Sequence, residues 1–157
     1  MDISRTGMRE KLILIVEDLE DDIGVLEWTL KKAGIVNPVF CLRDGHEALL
    51  YLSGAGTYQD RTMYPVPAVL FLDLKLPLLD GWEVLDWIHG GGIKGDMKIF
   101  IYSQPKSVSE VLTLYNKGAD TFLSKPVEEE DLMNVIRHFP TPWAIKPSSV
   151  AAETLLH

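Results

Sequence analysis

The chain has 157 residues, 46% of them hydrophobic and 24% charged, with a formal net charge of −8. That composition suits one globular domain with a continuous core, and the negative balance argues against nonspecific binding to nucleic acid or anionic lipid, which needs basic patches. A single cysteine, Cys41, leaves no internal disulfide and no cysteine-built zinc site. The polar opening "MDISRTGMREK" lacks a signal-peptide core, and no apolar run approaches the ~20 residues that span a bilayer. The expected location is cytoplasmic.

Short apolar strings alternate with segments of helical period. Residues 12–16 are an unbroken branched aliphatic run, the mark of a strand covered on both faces. It runs directly into the acidic "EDLEDD". Ile23, Leu26, Leu30 and Ala33 then recur at helical spacing until Gly34 stops them. Residues 39–42 predict a second strand, and residues 45–52 a short helix ending near Gly54. The stretch 54–67, "GAGTYQDRTMYPVP", is loop by its Gly, Pro and polar content. Residues 68–72 predict a third strand that ends at Asp73. A turn through Pro77, Asp80 and Gly81 leads into a helix with Val84, Leu85 and Ile88 inward, closed by Gly90-Gly91-Gly92. Residues 98–102 predict a fourth strand. Val108, Val111, Leu112 and Tyr115 mark a helix ending at Gly118, residues 121–123 a short fifth strand, and Leu132, Val135, Ile136 and Phe139 the last helix.

Strands alternating with helices imply right-handed crossovers, hence an α/β, doubly wound, five-stranded parallel sheet with helices on both faces. Ligands of such sheets bind at the carboxyl ends of strands. Those ends carry Glu17 and Asp18, then Asp73, then Ser103, then Lys125 before Pro126. Clustered carboxylates repel, and without counter-charge at least one stays protonated near neutral pH. A divalent cation removes the conflict, and oxygen donors of this kind suit Mg²⁺. The ammonium and hydroxyl suit the oxygens of a transferred phosphoryl group. Taken singly, each residue has a plainer role. The helix dipole accounts for Glu20, Asp21 and Asp22; Asp73 and Asp80 serve equally as cap or turn residues, Ser103 as a helix cap, Lys125 as a solvated charge. Those roles do not explain why five such groups end strands at one edge.

The segments "LILIVEDLEDD", "VLFLDLKLPLLDGWEVL", "IFIYS" and "GADTFLSKPV" closely resemble, in order and spacing, the receiver domain of two-component response regulators, a flavodoxin-like fold. The likeness covers about residues 11–139, leaving 1–10 as an N-terminal arm and 140–157 as a tail too short for a DNA-binding or enzymatic domain. By position, it implies that Asp73 is the phosphoacceptor for a phosphoryl group from a sensor histidine kinase or histidine phosphotransfer protein. It implies Mg²⁺ held by Glu17, Asp18, Asp73 and the backbone carbonyl of Lys75. Lys125 takes the position that contacts the phosphoryl group, ahead of a cis bond to Pro126; Ser103 is the switch hydroxyl and Phe122 the switch aromatic. The protein is then no enzyme beyond slow self-catalysed phosphotransfer and dephosphorylation, and it signals by contact with a downstream protein or by passing phosphate onward. The long segment before the third strand is similar to that of stand-alone receivers paired with bacteriophytochrome-type kinases.

Three residues depart from the family pattern. Gln104 stands where a small residue is usual, Lys75 adds positive charge beside the expected acceptor, and Pro105, at the start of the fourth helix, is expected to stiffen a loop that normally moves. The alternatives are a pseudo-receiver that binds protein without phosphorylation, kept open by Gln104, and a haloacid dehalogenase-type phosphatase. The latter wants a second acid two residues after its nucleophile, where Lys75 stands. A flavodoxin-like cofactor binder is disfavoured because the acidic run would repel a flavin phosphate. Trp143 has two destinations, against the domain, which is the expectation, or against a second subunit in a homodimer.

Overall fold

The computed structural model describes residues 11–91, 94–104 and 107–146; the N-terminal arm 1–10, Gly92, Pro105 and residues 147–157 lie outside them. In chain order the elements are β1 (Ile13–Val16), α1 (Glu20–Lys32), β2 (Val39–Leu42), α2 (Gly45–Ser53), β3 (Val69–Leu72), α3 (Gly81–His89), β4 (Lys98–Ser103), α4 (Val108–Asn116), β5 (Thr121–Ser124) and α5 (Glu129–His138). The strands form one parallel sheet of order β2-β1-β3-β4-β5. The doubly wound sheet read from the sequence is the one observed.

The two-residue period of a strand divides the core in two. Leu14, Val16, Leu70, Leu72, Ile99 and Ile101 point to one side, where Ala48, Leu52, Val84, Leu85, Ile88 and Leu114 of α2, α3 and α4 cover them. Ile13, Ile15, Val69, Phe71, Phe100 and Tyr102 point to the other, under Leu26 and Leu30 of α1 and Leu132 and Val135 of α5. Both faces of β1 and β3 are therefore dry, which is why those strands read as solid apolar runs.

Local chemistry sets the helix starts that frame the carboxyl edge. Asp80 caps α3 by accepting from the Glu83 N–H at 2.9 Å, and Asp44 caps α2 through the Glu47 N–H at 2.7 Å. The cap of α4 is Ser107, accepting from the Glu110 N–H at 3.1 Å, not Ser103. Gly81 is required by close approach: a Cβ there would stand 2.1 Å from the Asp73 carbonyl oxygen. The helix α4 forms where the sequence places it, with a face that the spacing does not reveal. Leu114 is its buried residue and Val111 is half-buried, whereas Val108, Leu112 and Tyr115 are exposed, so most of the apolar residues that mark the helix face outward.

Residues 54–67 lack regular structure except for a short 3-10 turn at Gly56–Tyr58, but they are anchored to the domain at several points. Arg61 donates to the Leu52 and Tyr64 carbonyls, Tyr51 donates to the Pro65 carbonyl at 2.8 Å, and the rings of Phe40, Tyr51, Tyr58 and Tyr64 pack together. Beyond α5 the chain folds back as a strap. Trp143 is buried, its indole stacks on Phe100 at an interplanar angle of 11°, and its Nε1 donates to the Phe139 carbonyl at 2.7 Å. Val36 and Lys146 N–H groups bond to Ala144 and Gly34 carbonyls. Asn37 donates to the Lys11 and Pro142 carbonyls and accepts from the Ala144 N–H. Trp143 thus takes the first of its two destinations and presents little surface to a second subunit.

Two substitutions test this packing in urea unfolding. Trp143→Ala is expected to lower stability by about 3 kcal/mol through lost ring burial. Gly81→Ala is expected to cost at least about 2 kcal/mol by forcing the turn away from Asp73. A loss below about 0.5 kcal/mol for either would contradict the corresponding contact.

Candidate functional site

Strand register brings the carboxylates together. Val16 lies opposite Leu72, so Glu17 and Asp73 leave adjacent strands side by side, and the Asp73 N–H donates to the Val16 carbonyl at 3.0 Å. One oxygen each from Glu17, Asp18 and Asp73 lies within 4.8 Å of the others; Glu17 and Asp73 are buried and Asp18 half-buried. On the far side Ser103 pairs with Ser124, and the Lys125 N–H donates to the Ser103 carbonyl at 3.1 Å. Lys125–Pro126 is cis, as the family likeness implies. The Lys75 N–H reaches Asp73 Oδ1 at 3.3 Å. Asp18, Asp73, Lys75, Ser103 and Lys125 line one cleft of about 370 Å³. The strand-end residues singled out in the sequence do meet.

Charge in the cleft is unbalanced. The Lys125 ammonium pairs with Glu17 and lies 2.9 Å from Asp22 Oδ2 and 3.3 Å from Asp73 Oδ2, above the Tyr102 ring at 5.0 Å from its centroid. Burial pushes the Glu17 carboxyl up to about 7, with the Asp73 charge adding to the rise; the Lys125 ammonium and the Leu19 N–H offset only part of it. Burial alone would lower Lys125, but hydrogen bonds to Glu17 and Asp22 and the Asp73 charge win and hold it above the usual lysine range. Glu17 Oε2 is buried, and its partner among the described residues is the Lys125 ammonium that it shares with Asp22 and Asp73. Three carboxylate oxygens within 4.8 Å of one another, sharing one ammonium, are a donor set that fits a small divalent cation.

Asp22 has a second role that sequence reasoning did not give it. It occupies the first turn of α1 as the dipole argument expects, but its carboxylate also turns into the cleft and pairs with Lys125. Glu20 and Asp21 do not line the cleft and keep the helix-start role. Gln104 donates through Nε2 to the Lys125 carbonyl at 2.7 Å, tying the ends of β4 and β5. Phe122 is half-buried and lies opposite Ile101.

Residues 13–137 match the model of the response regulator receiver domain. The chain belongs to that family. Among curated relatives of this receiver is response regulator Rcp1 of Synechocystis sp. (strain ATCC 27184 / PCC 6803 / Kazusa), 29% identical over 133 residues, covering 85% of this chain and 88% of Rcp1. The Mn(2+)-bound form of Rcp1 superposes with a TM-score of 0.69 at 28% identity, over 88% of this chain and 99% of that one. The bacteriophytochrome response regulator AtBRR gives 0.73 at 32% identity, again over 88% and 99%. The phosphorylated cyanobacterial phytochrome response regulator RcpA gives 0.68 at 26% identity over 82% and 90%. This receiver is a signalling protein of the two-component class. No helix among its described residues is long and apolar enough to cross a membrane.

The raised Glu17 carboxyl predicts a pH signature. A group that binds its proton more tightly when folded stabilises the fold fully below its ordinary value of 4.5 and loses that contribution as pH rises through about 7. In a chelating buffer, the stability of Glu17→Gln relative to wild type is therefore expected to rise on the order of 2 kcal/mol between about pH 5 and about pH 8. A difference independent of pH in urea unfolding would contradict the assignment.

Proposed function

We propose that this receiver is a cytoplasmic response regulator that accepts a phosphoryl group on Asp73. The observation that carries the reading is a buried Asp73 carboxylate 3.3 Å from the Lys125 ammonium, inside a three-acid cluster spanning no more than 4.8 Å. Phosphoryl transfer depends on positioning and on neutralising the phosphoryl oxygens more than on covalent help from the protein. An Asp73 oxygen attacks the phosphorus of a phosphohistidine; the P–N bond breaks and its electron pair stays with the imidazole. The product is an acyl phosphate on Asp73. Lys125 neutralises one phosphoryl oxygen, and the Ser103 hydroxyl offers a hydrogen bond to another. Glu17, Asp18, Asp73 and the carbonyl of Lys75 would hold Mg²⁺, which supplies further positive charge to the phosphoryl oxygens. The Mn(2+)-bound and phosphorylated relatives support both halves of this reading. Water attack on phosphorus later returns Asp73 and inorganic phosphate.

Receiver domains exchange phosphate with histidine kinases or phosphotransfer proteins and engage downstream proteins; kinship to a bacteriophytochrome response regulator supports a phytochrome-type kinase as the donor here. Ser103 and Phe122 are the proposed switch pair, and the outward α4 residues Val108, Leu112 and Tyr115 with the α5 groove form the face they would alter.

Incubation with acetyl phosphate and Mg²⁺ is expected to add one phosphate-sized mass to the intact protein. The adduct should be absent in Asp73→Asn and lost on chelation of the metal. Identical behaviour of wild type and Asp73→Asn would sink the phosphoacceptor and leave a protein-binding pseudo-receiver.

A further inference from the structure

We propose that Asp22 is the resting partner of Lys125: its carboxylate holds the ammonium against α1 and competes for it with an incoming phosphoryl oxygen, weakening the hold of the cleft on that group. The proposal rests on the phosphoacceptor reading of the same cleft.

Lys125 touches three carboxylates, from Glu17, Asp73 and Asp22. Glu17 and Asp73 belong, with Asp18, to the oxygen cluster that suits a cation. Asp22 lies outside that cluster, so it is the carboxylate left to the ammonium when the other two turn to a metal. Its place is fixed independently of its side chain, because Tyr102 Oη donates to the Asp22 carbonyl at 3.3 Å. The same Tyr102 ring floors the ammonium.

Exposure decides which partner can let go. Glu17 is 0% exposed, and stripping it of the ammonium without a cation would leave a bare buried charge. The Asp22 side chain is 29% exposed and meets water at the mouth of the cleft. It can release Lys125 and be solvated where it stands. Exchange from Asp22 to a phosphoryl oxygen is thus the inexpensive move open to this lysine, and every such exchange gives up a charge-assisted hydrogen bond at 2.9 Å.

Beryllofluoride, a phosphoryl mimic, reads this competition by fluorine NMR titration of the Mg²⁺-loaded full chain. Asp22→Asn is expected to bind it about fivefold more tightly than wild type, and Asp22→Glu, which restores the carboxylate, to return to the wild-type value. Asp22→Ser serves as a second neutral variant, since it removes the carboxylate with a different, smaller side chain. The Lys125 ammonium resonance in ¹⁵N-lysine-labelled protein, with Mg²⁺ and before beryllofluoride, is expected to move in both neutral variants. Equal or weaker binding by them, or an unmoved Lys125 resonance, overturns the proposal. Tighter binding with an unmoved resonance would mean that the Asp22 charge repels the anion directly, which also overturns it. The underlying reading is tested separately: wild-type binding lost in Asp73→Asn but indifferent to Asp22 keeps the phosphoacceptor and removes this role, whereas binding unaffected by Asp73→Asn removes the phosphoacceptor itself.

Discussion

The Lys125 ammonium touches Glu17, Asp22 and Asp73 at once, and Asp18 stands close by without contacting it. One positive charge cannot satisfy so many carboxylates in a partly buried cleft. The imbalance appears as a Glu17 carboxyl displaced upward by burial and as a lysine held in its charged form. Everything else at this edge of the sheet bears on keeping mutually repelling groups near one another. The packing of β1 and β3 on both faces is what supplies the necessary stiffness, because strands sealed under two helix layers cannot drift apart to relieve the repulsion.

That stiffness has a cost in sequence freedom. The turn after β3 runs so close to the start of α3 that no side chain fits at Gly81, and α2 begins equally close to the same turn, where a Cβ at Gly45 would stand 1.9 Å from the Leu79 carbonyl oxygen. Two helix starts therefore clamp the segment that carries Asp73 and Lys75. Leu78 in that segment adopts a φ of 69°, unusual for a branched residue, with its side chain in solvent. Strain of this kind persists only where the surroundings dictate the path of the chain.

Most of the fold was legible because each local signal agreed with the others. Solid aliphatic runs marked strands buried on both faces, and helical spacing in α1 and α3 picked out the residues that do face the core. Asp73, the acid pair Glu17 and Asp18, Ser103 and Lys125 were legible from their shared position after strands, since parallel topology forces all such ends to one edge. Three features were not. Asp22 had a sufficient local explanation in the helix dipole, and nothing in its own segment tells of a lysine 103 positions away. The outward face of α4 was hidden because Val108, Leu112 and Tyr115 have the spacing of a buried stripe; only the packed neighbours show that Leu114 is the residue turned inward. The stretch 54–67 has a loop's composition, yet its tyrosines reach rings from β2 and α2, a partnership set by tertiary proximity.

Asn37 binds together the two routes by which the chain meets the sheet. Its amide holds the Lys11 carbonyl on the way in and Pro142 and Ala144 on the way out, all at the amino ends of the strands. Entry and exit consequently share one pole, and the acidic cleft occupies the opposite one. The junctions at Lys11 and Ala144 are therefore on the floor of the molecule, and neither stands in front of its mouth.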